Sequence, residues 1–303
     1  MPRSASKLPG VRWLVTGARG QLGSDLQRVL ADGAAAGSDQ VLAAGSHVLD
    51  VTDSAAVLAA VSDFAPDVVV NAAAYTAVDK AESDEQTAYR VNASGPALLA
   101  AAVAKYGGRL VHVSTDYVFA GDARQPYEVD DAPAPRSAYG RTKLAGERAV
   151  RELLPDGSYV VRTAWVYGAS GANFVKTMSR LEREHDTVRV VDDQRGSPTW
   201  SVDLARALVE LGRSTPPAGI YHCTGGDDTT WRGFAQAIFS ELGADPARVL
   251  PATSEEYPRP APRPAYSVLS DSAWRAAGLS PMRHWRDALS AAFTEAGDAF
   301  RGG

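Results

Sequence analysis

A short apolar run, Val11-Arg12-Trp13-Leu14-Val15-Thr16, ends in Gly17-Ala18-Arg19-Gly20-Gln21-Leu22-Gly23, and a helical pattern follows through Leu26, Val29 and Leu30. Few folds accept a Gly-x-x-Gly-x-x-Gly turn between a strand and a helix. The first glycine permits the tight turn, the second lets a pyrophosphate approach the backbone, and the third lets helix and strand pack closely. The helix N-terminus then faces the phosphate charge. A plain glycine-rich turn is the competing reading of the loop taken alone.

Strand and helix patterns alternate from this point. Val41-Leu42-Ala43-Ala44 is the expected second strand. Folds of this kind that select NAD place an acid at its end, on the ribose 2′-hydroxyl. Here the end reads Gly45-Ser46-His47. Arg19 can meet a 2′-phosphate or stay a solvated loop charge; the missing acid favours NADPH, with NADH as the alternative. Asp50 and Val51 lead into a helix from Ser54 to Phe64, with Asp53 or Ser54 as N-cap and Asp50 assigned to the adenine amino group. Pro66 to Ala74 reads as a strand ending in small residues, where a cofactor can lie on the sheet edge. A long helix from about Asp84 to Tyr106 and a strand from Arg109 into Ser114-Thr115-Asp116 follow.

This order predicts the α/β class, with a Rossmann-type doubly wound parallel sheet and a smaller C-terminal α/β region. Tyr159–Thr163 is expected to complete the sheet. Residues 188–212 are expected to return to it, through a strand near Val188–Asp192 and a helix from Asp203 to Leu211. The remainder reads as strand Ile220–His222, helix Trp231–Leu242, a Pro/Arg-rich stretch and a final helix Trp285–Phe293. The expected division is therefore residues 1–164 with 188–212 for the cofactor, and 165–187 with 213–303 for the substrate.

Tyr139 and Lys143 stand four residues apart on a predicted helix, so both side chains lie on one face. A free phenol titrates near ~10. A cation one turn away stabilises the phenolate and draws that value toward the working range. A carbonyl reductase needs such a group, to give a proton to oxygen as hydride reaches carbon. A solvated pair on a surface helix is the competing reading.

In combination these features resemble the extended short-chain dehydrogenase/reductase family: Thr16-Gly17-x-x-Gly20-x-x-Gly23, Asn71-Ala72-Ala73-Ala74, Ser114-Thr115 and Tyr139-x-x-x-Lys143, in that order. Further stretches resemble its dTDP-4-dehydrorhamnose reductase branch. These are Tyr75-Thr76-Ala77-Val78-Asp79-Lys80-Ala81-Glu82, Asp116-Tyr117-Val118-Phe119, Leu144-Ala145-Gly146-Glu147, Arg162-Thr163-Ala164-Trp165-Val166-Tyr167-Gly168, Asn173-Phe174 and Asp193-Gln194-x-Gly196-x-Pro198-Thr199. The resemblance spans nearly the whole chain. It implies NADPH-dependent reduction of the C4 keto group of dTDP-4-dehydro-L-rhamnose, for cell-surface polysaccharides. It implies Tyr139 as proton donor, Lys143 as its tuning cation and ribose ligand, and Thr115 as hydrogen-bond donor to the same carbonyl. Gly17, Arg19, Gly20, Gln21, Leu22, Gly23, Asp50, Val51, Ala74, Tyr75, Thr76 and Val113 would line the cofactor. Thr115, Asp116, Trp165, Asn173 and Arg263 would meet the substrate, with Arg259 beside Arg263 at the diphosphate. Core packing competes for Trp165, and solvation for the two arginines. Dehydratases of the family carry Asp-Glu after the threonine; here Tyr117 follows Asp116, which argues for simple reduction. Another nucleotide-sugar reductase or epimerase is one alternative. A non-catalytic binder like the regulatory subunit of methionine adenosyltransferase is another, since fold alone does not separate them.

Composition narrows the setting. A net charge of -5 without a basic run argues against nucleic acid. One cysteine, Cys223, fits a reducing cytoplasm. Met1 to Gly10 has no apolar core of signal-peptide length, and no run reaches a membrane span. Some family members hold magnesium at a dimer interface, and the counterparts here are near Asp25 and Asp203. Helix-dipole and capping roles compete for both, so magnesium is left open as a cofactor and no metal ligand is assigned. A monomer and a homodimer are both compatible with the sequence.

Overall fold

The computed structural model describes residues 10–33, 39–214 and 216–301. The reading of Met1 to Gly10 therefore lies almost wholly outside the described residues, as do the first nine residues of the expected cofactor region. The first half alternates as β1 (Arg12–Thr16), α1 (Gln21–Gly33), β2 (Gln40–Ala44), α2 (Ser54–Phe64) and β3 (Val68–Asn71). It continues through α3 (Val78–Ala81), α4 (Glu85–Tyr89), α5 (Gly95–Tyr106), β4 (Arg109–Thr115), α6 (Ala138–Leu153) and β5 (Ser158–Thr163). The second half has β6 (Val166–Tyr167), α7 (Phe174–Glu184), β7 (Val188–Val191), β8 (Arg195–Gly196), β9 (Thr199–Trp200), α8 (Ser201–Arg213) and β10 (Gly219–His222). It closes with β11 (Thr229–Thr230), α9 (Trp231–Glu241), β12 (Val249–Ala252), α10 (Ser272–Ala276) and α11 (Trp285–Arg301).

The central sheet runs β10-β5-β4-β3-β1-β2, with every pairing parallel. Its inner strands are apolar runs because helices cover both faces. The pleat sends Trp13 and Val15 to a core under α8, with Leu204 and Leu208, while Leu14 faces the α2–α5 side with Leu99 and Val103. The chain steps outward from β1 to β2, then back past β1 to β3. That reversal opens a crevice over the strands' C-terminal ends, where ligands bind in such sheets. In-register pairs Thr16–Asn71, Asn71–His112 and Thr115–Thr163 mark this edge. A second core, built from Tyr167, Trp200, Phe234, Phe239, Trp285 and Phe293, holds the smaller region together.

Three expectations need correction. The Val188–Val191 strand does not rejoin the central sheet but pairs parallel with Val249–Ala252. Val188 and Val190 are buried while Arg189 is exposed, so only one face of this strand is covered. Thr163 does not end the sheet, because β10 pairs parallel with β5 at its edge. The helix expected from Asp84 to Tyr106 is interrupted by a π-helical turn at Arg90–Ser94. The returning helix, α8, does pack on the sheet beside α1. Asp53 is the N-cap of α2, accepting from the backbone N–H of Ala55 and Ala56.

Candidate active site

Close packing dictates the glycine loop. Gly17 has φ 65°, and a Cβ there would lie 2.6 Å from the Ala73 nitrogen and 2.7 Å from the Ala72 oxygen. A Cβ on Gly23 would collide with the Gly17 carbonyl. Side chains at these positions would push the β1–α1 turn off the β3 edge. The cradle so formed is one wall of a cavity of about 590 Å³, lined there by Gly20, Gln21, Leu22, Gly23, Ala72, Ala74 and Thr76. Arg19 is exposed with its stem beside Gly45, where a Cβ would lie 3.0 Å from Arg19 Cγ and Cδ. No ion pair to Arg19 forms among the described residues.

Helix α6 supplies the opposite wall. Ser137 caps it, accepting from the Gly140 N–H at 3.1 Å, and the Ala138 N–H donates to Glu82 at 2.8 Å. Gly140 and Gly146 let it approach the Tyr117 and Asn92 carbonyls closer than any Cβ allows. Tyr139 and Lys143 both line the cavity, together with Val113, Ser114, Thr115, Asp116 and Tyr117 from the end of β4. Lys143 is 2% exposed and donates to the Val113 carbonyl at 2.7 Å. Burial lowers its ammonium to about 8, against the opposing charge of Glu147. Thr115 donates to Asp116 Oδ1 at 2.9 Å and accepts from the Tyr117 N–H at 3.2 Å. The other Asp116 oxygen is buried without a hydrogen-bond partner. Burial pushes this carboxyl up to about 6, with the Ser267 and Thr115 hydroxyls pulling the other way.

The phenol departs from expectation. Burial pushes Tyr139 up to about 12; the Thr115 hydroxyl opposes this and the Asp116 charge adds to it. A lysine at helical spacing was expected to draw the value down. Its ammonium instead serves the Val113 carbonyl, so being on the same helix face does not make it the phenol's partner.

Several expected site residues lie away from the cavity lining. Asp50 is exposed, with Thr52 donating to it from backbone and hydroxyl at 2.9 and 2.8 Å, which holds it below the usual carboxylate range. Val51 packs on Gly95. The Tyr75 backbone is held by Asn92, which accepts from its N–H at 2.8 Å and donates to its carbonyl at 3.1 Å. Asn173 caps α7 and donates to Gln21 and to the Gly168 carbonyl. Arg263 pairs with Asp79 at 2.9 Å, in a separate cleft of about 50 Å³ that also touches Tyr117 and Arg136. Arg259 is exposed. Asp25 accepts from the Ser201 hydroxyl, and Asp203 pairs with Arg283 and Arg206. No group of three or more His, Cys, Asp or Glu side chains among the described residues is arranged to hold a metal.

Two features escape sequence reasoning. Glu147 stands one further turn along the Tyr139–Lys143 face, 2% exposed, and takes a two-pronged bond from Arg162 of β5. Ser114 donates to the same carboxylate at 2.5 Å. The repeat of Tyr, Lys and Glu at four-residue spacing is the signal that was there to find. Trp231, the first residue of α9, lines the cavity with its ring stacked on Trp165; no local pattern in the sequence announces it.

Residues 11–297 match the family model described as the RmlD substrate binding domain. A dTDP-4-dehydrorhamnose reductase of Streptomyces griseus is 55% identical over 292 residues, 95% of each chain. A probable dTDP-4,6-dihydroxy-2-methyloxan-3-one 4-ketoreductase of Streptomyces antibioticus is 51% identical over 286 residues, 94% of this chain and 95% of the relative. The solved structure of dTDP-4-dehydrorhamnose reductase from Bacillus anthracis in complex with NADP is 38% identical. It superposes with a TM-score of 0.90, over 94% of this chain and 99% of that one. Among the described residues no helix is long and apolar enough to cross a membrane.

Proposed function

We infer, for a chain that belongs to the RmlD substrate binding domain family, that it is an NADPH-dependent reductase of a dTDP-4-keto-6-deoxy sugar, dTDP-4-dehydro-L-rhamnose, giving dTDP-L-rhamnose. One observation carries the reading: a single cavity brings Thr115, Tyr139 and Lys143 opposite the Gly20–Gly23 cradle. The cradle suits a pyrophosphate because Gly20 faces the cavity without a side chain, while glycine at 17 and 23 lets the turn close behind it. Arg19, beside the acid-free end of β2, suits the 2′-phosphate that distinguishes NADPH. When bound, the nicotinamide supplies hydride to the carbonyl carbon. The chain's own part is to hold and protonate the oxygen. Tyr139, protonated across the working range, gives the proton; the Thr115 hydroxyl turns from Asp116 to the same oxygen; Lys143 keeps a positive charge at the site as negative charge develops.

The sheet with α1 to α6 and α8 holds the cofactor in this reading, and Trp165 and the elements after β10 serve the sugar nucleotide. The chemistry places no demand on a metal, and a single buried cysteine fits the cytoplasm. A second reading keeps the reaction and changes the sugar, because the Streptomyces antibioticus relative is named for a different 4-keto sugar. Following NADPH oxidation with dTDP-4-dehydro-L-rhamnose, the 2-deoxy 4-keto sugar nucleotide that the relative's name describes, and UDP- and GDP-linked 4-keto sugars separates the two. Turnover confined to the 2-deoxy sugar favours the second reading; no turnover of any dTDP sugar at saturating cofactor refutes both.

A further inference from the structure

Trp165 has φ 48°, in the left-handed region that bulky residues rarely enter. Such a conformation persists only where the surroundings impose it, and it is a reason to ask what it serves. Two contacts impose it here. Gly196 lies so close that a Cβ there would come within 2.5 to 2.8 Å of the indole Cε2, Nε1 and Cζ2. Trp231 stacks on the ring with centroids 3.5 Å apart and planes 7° from parallel. Trp231 is itself backed by Phe174, at 4.6 Å between centroids. The Trp165 carbonyl is fixed as well, accepting from the Thr199 N–H at 3.2 Å. The α9 turn that presents Trp231 is anchored by Thr230 and Arg232, both donating to Asp192.

Both indoles line the cavity, beside Ala164, Val166 and Ala172. Where the indole faces and the Ala164, Val166 and Ala172 side chains meet the cavity they offer nothing to a hydroxyl; the polar side chain beside them is Thr163, at the end of β5. A sugar carrying a methyl group there loses nothing on burial, whereas a hydroxymethyl group would leave an oxygen short of partners.

We propose that Gly196 and Trp231 are positioning residues that clamp Trp165 in its left-handed backbone state, and that the paired indoles form a preset apolar wall selecting a 6-deoxy sugar. This rests on the dTDP-sugar reading above. The test compares wild type with Trp231→Ala, Trp231→Phe and Gly196→Ala, each checked for a cooperative melt. Two readouts are taken: the exciton couplet of the stacked indoles in circular dichroism, and the ratio of inhibition constants for dTDP-glucose and dTDP-6-deoxyglucose. Wild type is expected to show the couplet and to favour the 6-deoxy compound by about tenfold or more, the scale on which apolar pockets discriminate. Trp231→Ala should lose the couplet and bring the ratio near one, raising KM more than it lowers kcat. Trp231→Phe should restore most of the ratio without the couplet, and Gly196→Ala should weaken both. A folded Trp231→Ala that keeps the wild-type ratio overturns the selective wall. A folded Gly196→Ala with an undiminished couplet overturns the clamp. If wild type bound neither dTDP sugar, the functional reading and the selective wall would fall together, while the couplet would still decide the clamp.

Discussion

Glu147→Leu is expected to be among the most destabilising substitutions near the site. Arg162 and Glu147 have side chains 1% and 2% exposed, and they bond through Nη2–Oε2 at 2.7 Å and Nε–Oε1 at 3.0 Å. Ser114 spends its hydroxyl on the same carboxylate. Around the guanidinium there remain the Phe119 ring at 4.9 Å, the Val129 carbonyl at 3.4 Å and the His222 Nε2 at 3.5 Å. His222 cannot share the charge, because burial and Arg162 hold its ring neutral, down to about 3. Removing Glu147 thus strands a buried cation with only neutral partners, a loss of about 3–5 kcal/mol. A typical domain has about 5–15 kcal/mol in all, so the variant should sit near the edge of folding. Urea denaturation of Glu147→Leu, Arg162→Met and the double variant measures this. Both single variants should lose several kcal/mol, and the double variant should recover most of it, since an apolar pair of similar volume needs no charge compensation. A Glu147→Leu protein within about 1 kcal/mol of wild type would refute the argument, as that is the scale of an exposed pair.

Three further outcomes follow from the same geometry. Tyr139→Phe should lower kcat by about 10²–10⁴ while leaving NADPH affinity near wild type, measured by single-turnover kinetics and cofactor fluorescence. Activity should fall as pH rises through about 8, where Lys143 loses its charge; because its folded value is lowered, the fold itself should gain stability over that rise, as denaturation at pH 7 and 9.5 would show. Asp116 has the opposite sign: its folded value is raised to about 6 from 3.8, so its contribution is complete below 3.8 and is lost as pH rises through 6. Asp116→Asn should accordingly be more stable than wild type at pH 8, by up to about 3 kcal/mol, and slower in turnover.

The parts of the site legible in the sequence are those fixed by backbone geometry. The glycine spacing determines where a phosphate can approach, and the four-residue spacing places Tyr139 and Lys143 on one wall. What a charged side chain does once there depends on partners that local patterns do not reveal. Arg263 is drawn to Asp79, Asn173 to Gln21, and β7 to β12, each by a neighbour from another part of the chain. Lys143 is the instructive case, because its spacing suggested a phenol made more acidic, and the phenol is less acidic than a free one. The reductive direction reconciles the two. A proton donor must stay protonated until the carbonyl oxygen becomes an alkoxide, and an alkoxide is a stronger base than a phenolate. A phenol at about 12 therefore still donates downhill, and at neutral pH nearly every molecule carries the proton when it is needed. A lowered phenol would instead hold more tyrosinate at neutral pH, the form that must take a proton from an alcohol in the reverse oxidation. In the proposed reaction the buried Tyr139, with Lys143 held at the Val113 carbonyl, would thus enter each reductive turnover already carrying its proton.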